Sequence, residues 1–278
     1  MDKIARWNHL VEMLATAEDG RLSIDEVVQT LNVSAATARR DFDELAAQQL
    51  LVRTRGGALA NGVSYDLPLR YKTARHPSEK HWIAEAAAGL VSAGQVVGLN
   101  GGTTTTEVAR ALVARTRLLG EHPEPVFTVV TNALNIAQEL TVQPRMKIVV
   151  VGGVARPQSY ELIGPLATTL LKDMTLDLAI IGVDAFDAGT GASAHHEGEA
   201  SINKLMGGRA KQVVVVADGS KVGRAAFARI LPAERVHVLV TDATAPKEAV
   251  RAIEATGCRV LRARQGDAND DSVTESAS

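Results

Sequence analysis

Directly after the apolar run Val96–Leu99 the chain reads Asn100-Gly101-Gly102-Thr103-Thr104-Thr105-Thr106, and Val108, Ala109 and Leu112 then follow at helical spacing. Glycines, hydroxyls and a helix start in that order can cradle a phosphate, because backbone N–H groups and the helix dipole both favour an anion. On spacing alone the loop is equally an ordinary turn with an N-cap. Polar residues recur at the same place after other apolar runs: Thr131-Asn132 after 127–130, Gly152-Gly153 after 148–151, Asp184 after 178–181, and Asp218-Gly219-Ser220-Lys221 after 213–216. If those runs are parallel strands, such groups converge on one edge of the sheet, where ligands of open α/β sheets bind.

Several of these residues allow other chemistry. Asp184, Asp187 and Glu199 are candidate carboxylate bases, and Asp184, straight after an apolar strand, requires a ligand or a protein partner. Lys221 either neutralises a phosphate or makes a surface ion pair. His195, His196, Glu197 and Glu199 are metal-ligand types. Adjacent histidines diverge on a helix or a strand, and no third His or Cys stands at ligand spacing, so neither a metal nor a cofactor is expected. A histidine bonding a ligand hydroxyl is the better functional reading; a solvated loop histidine is the alternative.

A second kind of chemistry sits near the N-terminus. Ser23 and Glu26 have capping-box spacing, so a helix carrying Ile24, Val27, Val28 and Leu31 starts there. Asn32-Val33 breaks it, and Ser34 offers a second N-cap. In the next helix Ala35, Ala38, Phe42 and Leu45 face inward, leaving Ala36, Thr37, Arg39, Arg40 and Asp43 outside. Small residues and arginines on such a helix suit the major groove of DNA. Residues 50–58 then alternate apolar and cationic positions, with Arg53 and Arg55, and close on Gly56-Gly57 as a wing. Trp7, Leu10, Val11 and Leu14 supply a preceding helix. The bland alternative is a helical hairpin with solvated arginines.

Leu22 to Leu59, with Val33-Ser34, Thr37, Arg39-Arg40-Asp41, Leu45, Arg53 and Gly56-Gly57-Ala58, resembles the N-terminal helix-turn-helix of the DeoR family of bacterial transcriptional regulators. Arg55 stands where that family often has His, and Phe42 where it often has Leu. Glu79 to Ala263 resembles the family's effector domain, itself similar to the ribose-5-phosphate and glucosamine-6-phosphate isomerase superfamily. The markers are Gly102-Thr103-Thr104-Thr105, Thr131-Asn132, Gly152-Gly153, Gly164, Gly182-Val183-Asp184, Glu199-Ala200, Asp218 and Ser220-Lys221.

The resemblance implies a regulator of carbohydrate metabolism genes, a repressor that binds operator DNA through Ser34, Ala36, Thr37, Arg39, Arg40, Arg53 and Arg55. It implies a phosphorylated sugar effector held by Gly102, Thr103, Thr104, Thr105, Thr131, Asn132, Gly153, Asp184, Glu199 and Lys221. The competing reading is an isomerase-like enzyme. The isomerases carry a lysine in the glycine-rich segment after the catalytic acid, whereas residues 189–198 have none, so no catalytic residue is assigned.

The elements that would position these groups follow from composition. A chain of 278 residues with 46% hydrophobic but only 3% aromatic content suits a small head plus a larger aliphatic α/β domain. The expected division is a winged helix-turn-helix over 1–59, a linker over 60–78, a Rossmann-like, mainly parallel α/β effector domain over 79–264 and a disordered tail over 265–278. The net charge of -2 excludes a uniformly basic DNA-binding surface, so recognition must be local and assisted by homo-oligomerisation. The one cysteine, Cys258, lies in an apolar run and reads as a buried thiol. No run approaches the roughly twenty apolar residues of a membrane helix, so a cytoplasmic protein is expected.

Overall fold

The computed structural model describes residues 1–17, 19–48, 50–60, 69, 76–120 and 125–264. The chain divides into two compact units, Met1–Arg75 and His76–Ser278. Most of the expected linker and all of the expected tail lie outside the described residues.

In the first unit, helix α1 (Lys3–Thr16) is capped by Asp2, whose carboxylate accepts the Ala5 N–H at 2.8 Å. Strand β1 (Arg21–Ser23) runs into α2 (Ile24–Leu31), where the capping box forms: Glu26 accepts the Ser23 N–H at 2.7 Å, and Ser23 Oγ accepts the Glu26 N–H at 3.2 Å. Asn32 ends α2 in the left-handed region at φ 51°, a conformation Asn tolerates better than most residues. Ser34 then caps α3 (Ala35–Ala47) by accepting the Thr37 N–H at 3.1 Å. Trp7, Leu10, Val11 and Leu14 meet Val27, Ala38, Phe42 and Leu45 in one core, as the apolar spacing predicts.

The wing is a hairpin of β2 (Leu51–Arg53) and β3 (Gly57–Ala60), and β1 adds a third antiparallel strand that the sequence did not announce, in the order β1-β3-β2. Gly57 lies so close to β1 that an added Cβ would stand 2.1 Å from the Leu22 carbonyl oxygen, whereas a Cβ at Gly56 would meet nothing within 4 Å. Asp41, which the sequence marks only as part of Arg39-Arg40-Asp41, ties the helices of the head together. It is buried and accepts hydrogen bonds from Trp7 Nε1 and Arg6 Nη2, each at 2.9 Å, tying α3 to α1. Burial works to raise its carboxyl pKa, and the bonds from Arg6 and Trp7 outweigh that and hold it below the usual value.

In the second unit, seven parallel strands take the order β15-β14-β12-β9-β4-β5-β6: β4 (Val96–Leu99), β5 (Phe127–Thr131), β6 (Met146–Val150), β9 (Leu176–Gly182), β12 (Ala210–Val216), β14 (Val238–Asp242) and β15 (Arg259–Ala263). One face is covered by α4 (Pro77–Gly89), α5 (Thr103–Leu118) and α6 (Leu134–Thr141), and the other by α7 (Pro165–Lys172), α8 (Glu197–Gly208) and α9 (Lys247–Glu254). The alternation of β9 shows why the runs are continuously apolar. Leu178 and Ile180 pack with Ile83 and Leu112 on one face, Ala179 and Ile181 with Leu171 and Met206 on the other. Cys258 is buried, as its apolar setting predicts.

The sequence did not separate out two small additions, a β7 (Val154–Ala155) and β8 (Leu162–Ile163) hairpin and an antiparallel sheet of β10 (Ala185–Asp187), β11 (Gly191–Ala194) and β13 (Ala228–Leu231).

The contrast between the wing glycines gives a stability test. Gly57→Ala should destabilise the head by about 1–3 kcal/mol through overpacking, while Gly56→Ala should stay within about 0.5 kcal/mol of the parent. Urea unfolding followed by Trp7 fluorescence in a Trp82→Phe background checks this, and equal effects at the two positions would refute the close-approach account.

Candidate functional site

Two surfaces gather the residues singled out by the sequence. On the first unit, Ala36, Arg39 and Arg40 are exposed along α3, and Arg55 is exposed at the wing turn. Among the described residues none of these three arginines has a charged partner, whereas Arg6 is bound to Asp41 and Arg53 to Asp43. Ser34 Oγ and Thr37 Oγ1 lie 2.9 Å apart within the cap of α3. Arg53 is placed differently from a free DNA contact. Its Nε donates to Asp43 at 2.7 Å, its Nη1 donates to the Gly57 carbonyl at 2.7 Å, and its guanidinium sits 5.6 Å from the Phe42 ring centroid. That geometry braces the wing against α3.

The second surface is the crevice between β4 and β9, where connections leave the sheet in opposite directions, β4 toward β5 and β6 and β9 toward β12. Asn100, which the sequence named only as part of the loop, holds its walls together. Its Nδ2 donates to the Gly182 carbonyl at 2.9 Å and its Oδ1 accepts the Gly182 N–H at 2.8 Å. Gly102 caps α5 at φ 131°, a conformation that favours glycine. Thr105 and Thr106 turn their hydroxyls back onto the Gly102 carbonyl at 3.1 and 2.7 Å. Thr103 is half-buried, and Thr104 is buried with no hydrogen-bond partner for Oγ1. The first turn of α5 therefore offers open backbone donors and one unused hydroxyl.

Behind this turn lies a group the sequence did not single out. Glu161 is buried, and an ideal Cβ at Gly101 would stand 2.4 Å from its Cγ and 2.7 Å from its Oε1. Its Oε2 accepts from Asn132 Nδ2 at 3.0 Å and from Asn203 Nδ2 at 3.4 Å. Burial, with the nearby charges of Glu199 and Asp184, outweighs those two bonds and pushes the Glu161 carboxyl up to about 8. Glu199 is matched by buried Arg156, whose Nη1 donates to Oε1 at 2.9 Å. The amide oxygens of Asn132 and Asn203 are buried without partners. Asn203 was readable one turn after Glu199 on the face of α8 that also carries Ile202 and Met206. Arg156 directly follows β7 and Glu161 directly precedes β8, two-residue strands whose sequence gives no periodic signal.

The remaining predicted positions make contacts within the protein. Thr131 Oγ1 accepts the Ala133 N–H at 3.0 Å. At Gly153, φ 146°, a Cβ would approach the Ile163 carbonyl oxygen to 2.8 Å, so the β7–β8 hairpin can lie flat only against glycine. Asp184 accepts the His195 N–H at 2.9 Å, the protein partner its position demanded. Lys221 Nζ donates to the Val183 carbonyl at 2.8 Å, at the lip of the crevice. Asp218 is buried, and there the charge of Lys221 and the bond from Ser220 overcome burial and keep its pKa low. Asp187 accepts the Gly189 and Thr190 N–H groups and forms the β10–β11 turn. His196 Nδ1 accepts the Gly198 N–H at 3.1 Å and caps α8. Among the described residues no group of three or more His, Cys, Asp or Glu could hold a metal, and no helix is long and apolar enough to cross a membrane.

Residues 6–62 match the DeoR-like helix-turn-helix domain and residues 75–243 the DeoR C terminal sensor domain. The HTH-type transcriptional regulator GlpR of Haloferax volcanii is 33% identical over 92% of this chain and 96% of its own length. The glycerol-3-phosphate regulon repressor of Escherichia coli is 30% identical over 88% of this chain and 93% of its own. A ribose 5-phosphate isomerase A from Methanocaldococcus jannaschii, 22% identical, aligns over 51% of this chain and 52% of that chain at TM-score 0.38. With both domains matched and relatives that are regulators along their full length, the chain belongs to the DeoR family of transcriptional regulators.

Proposed function

We propose that this regulator represses carbohydrate-related genes by binding operator DNA through α3 and the wing, and that a phosphorylated sugar or polyol in the β4–β9 crevice modulates that binding. The observation that carries the DNA-contact assignment is the sorting of the head's arginines. Arg6 and Arg53 are held by carboxylates, while Arg39, Arg40 and Arg55 stand exposed with no charged partner among the described residues. With a formal net charge of -2, local placement of free cations has to supply the attraction to phosphate. Ala36 and Thr37 allow close approach at the start of α3, and Arg53 serves by positioning the wing.

In the crevice, the α5 N-terminus with Gly102, Thr103 and Thr104 is the phosphate cradle, and Lys221 supplies positive charge at its lip. Asn132, Asp184 and Glu199 line the sugar end, with Thr105, Thr131 and Gly153 fixing the shape. The name of the glycerol-3-phosphate regulon repressor, one of the relatives, fits such an effector. Repression by paired heads calls for a homo-oligomer acting on two half-sites in the cytoplasm. Effector and operator affinities are then linked reciprocally, because each favours one of two arrangements of the same assembly.

Two results check these assignments. Arg39→Ala and Arg40→Ala should each weaken operator binding at fixed salt by about tenfold to a hundredfold and leave effector binding as it was. Unchanged operator affinity in both would remove α3 as the reading element. Thr104→Val should cut effector affinity about tenfold or more, since a bond to a charged group is worth about 1.5–3 kcal/mol. The same variant should melt no lower than the parent, because it deletes an unsatisfied buried hydroxyl. Calorimetric titration and thermal melting report the two halves, and full effector affinity in Thr104→Val would refute the cradle.

A further inference from the structure

Glu161 is a buried acid that the proposed phosphate cradle does not use. Among the described residues its side chain has only the amide donors of Asn132 and Asn203 as hydrogen-bond partners. It lies across Gly101, one residue before the cap of α5. A carboxylate there would face the incoming phosphate, Glu199 of α8 and Asp184 after β9, with Arg156 of the β7–β8 turn already bonded to Glu199. Burial and those charges keep Glu161 protonated up to about pH 8. A protonated carboxyl both donates and accepts, and beside it the oxygens of Asn132 and Asn203 are buried acceptors without partners. One donor among several acceptors matches hydroxyl groups, each of which also gives one proton and takes another. The same surroundings repel a second anionic group on the ligand.

We propose that Glu161, framed by Asn132 and Asn203, is the specificity-determining residue of the crevice, reading neighbouring hydroxyls of a phosphorylated sugar or polyol and rejecting phosphorylated acids. The assignment rests on the effector crevice of the proposed function and adds its selectivity. It also couples binding to a proton. Loss of the Glu161 proton places an anion against Glu199, Asp184 and the ligand phosphate, so affinity should fall as pH rises through about 8. The ligand's own phosphate is already dianionic over that range, having a second pKa of about 6.

The test is calorimetric titration of the full chain with inorganic phosphate, a panel of sugar and polyol phosphates, and phosphoglycerate, at pH 7 and 9. The parent should prefer polyhydroxy phosphates over phosphoglycerate and bind them up to about tenfold more weakly at pH 9 than at pH 7. Glu161→Ala should lose that preference while keeping its affinity for inorganic phosphate. Glu161→Gln, close in shape and always neutral, should bind at pH 7 and lose the pH dependence, which carries the test if the alanine variant fails to fold. An unchanged order of preference in Glu161→Ala, or an unchanged pH profile in Glu161→Gln, overturns the role of Glu161 and leaves the crevice standing. A parent that binds none of these compounds overturns the effector crevice and this role together.

Discussion

The second unit depends on one side chain at the split between β4 and β9. Parallel strands that part to feed connections in opposite directions leave backbone groups at the crevice without neighbours, and buried backbone groups must be paired. Asn100 resolves this by imitating a strand, giving one bond to and taking one bond from Gly182. The walls are thereby fixed where Gly101, Gly102 and the first turn of α5 on one side meet Val183 and Asp184 on the other. Shortening or lengthening that side chain would move the two sides relative to each other, and the rest of the site is built on their spacing.

Charge is handled by the same economy in both units. The head buries Asp41 beneath Arg6 and Trp7, using a cation to tie α3 to α1, and Arg53 is likewise occupied with Asp43 and the Gly57 carbonyl. What remains free is the set exposed on α3 and at the wing turn, so a head without excess positive charge still presents a local cationic face. The crevice inverts the arrangement: Glu199 is neutralised by Arg156, and Glu161 holds its proton. Pairing one carboxylate and keeping the proton on the other lowers the negative charge that an anionic ligand meets, while Asp184 accepts the His195 N–H.

The parts legible in the sequence were those with a repeating or paired signal. The capping box at Ser23 and Glu26 and the second cap at Ser34 form as their spacing requires, and the continuous run Val96–Leu99 is a strand at the same bounds. Strand β15, Arg-Val-Leu-Arg-Ala, escaped because an edge strand that is half exposed needs no apolar run. Strand β10 is only three residues long and ends in Asp, and β11 is made of Gly, Ala and Ser, which carry no β preference. The crevice was legible where polar residues end apolar runs, as at Thr131-Asn132 and Asp184. It was hidden at Glu161, which joins Gly101, Asn132 and Asn203 only through long-range packing that no local pattern encodes.

Binding and turnover ask different things of these groups. An isomerase needs a carboxylate free to take a proton from carbon, with a pKa set for that transfer. In this crevice Glu199 is already paired with Arg156, Asp184 already accepts the His195 N–H, and Glu161 is protonated and flanked by amide donors. Each is committed to holding shape or offering hydrogen bonds, and pulling one into proton transfer would break a buried pair or ionise a buried acid. Such a site is suited to closing on a ligand and releasing it unchanged, and its energy of recognition remains available to shift the balance between protein states.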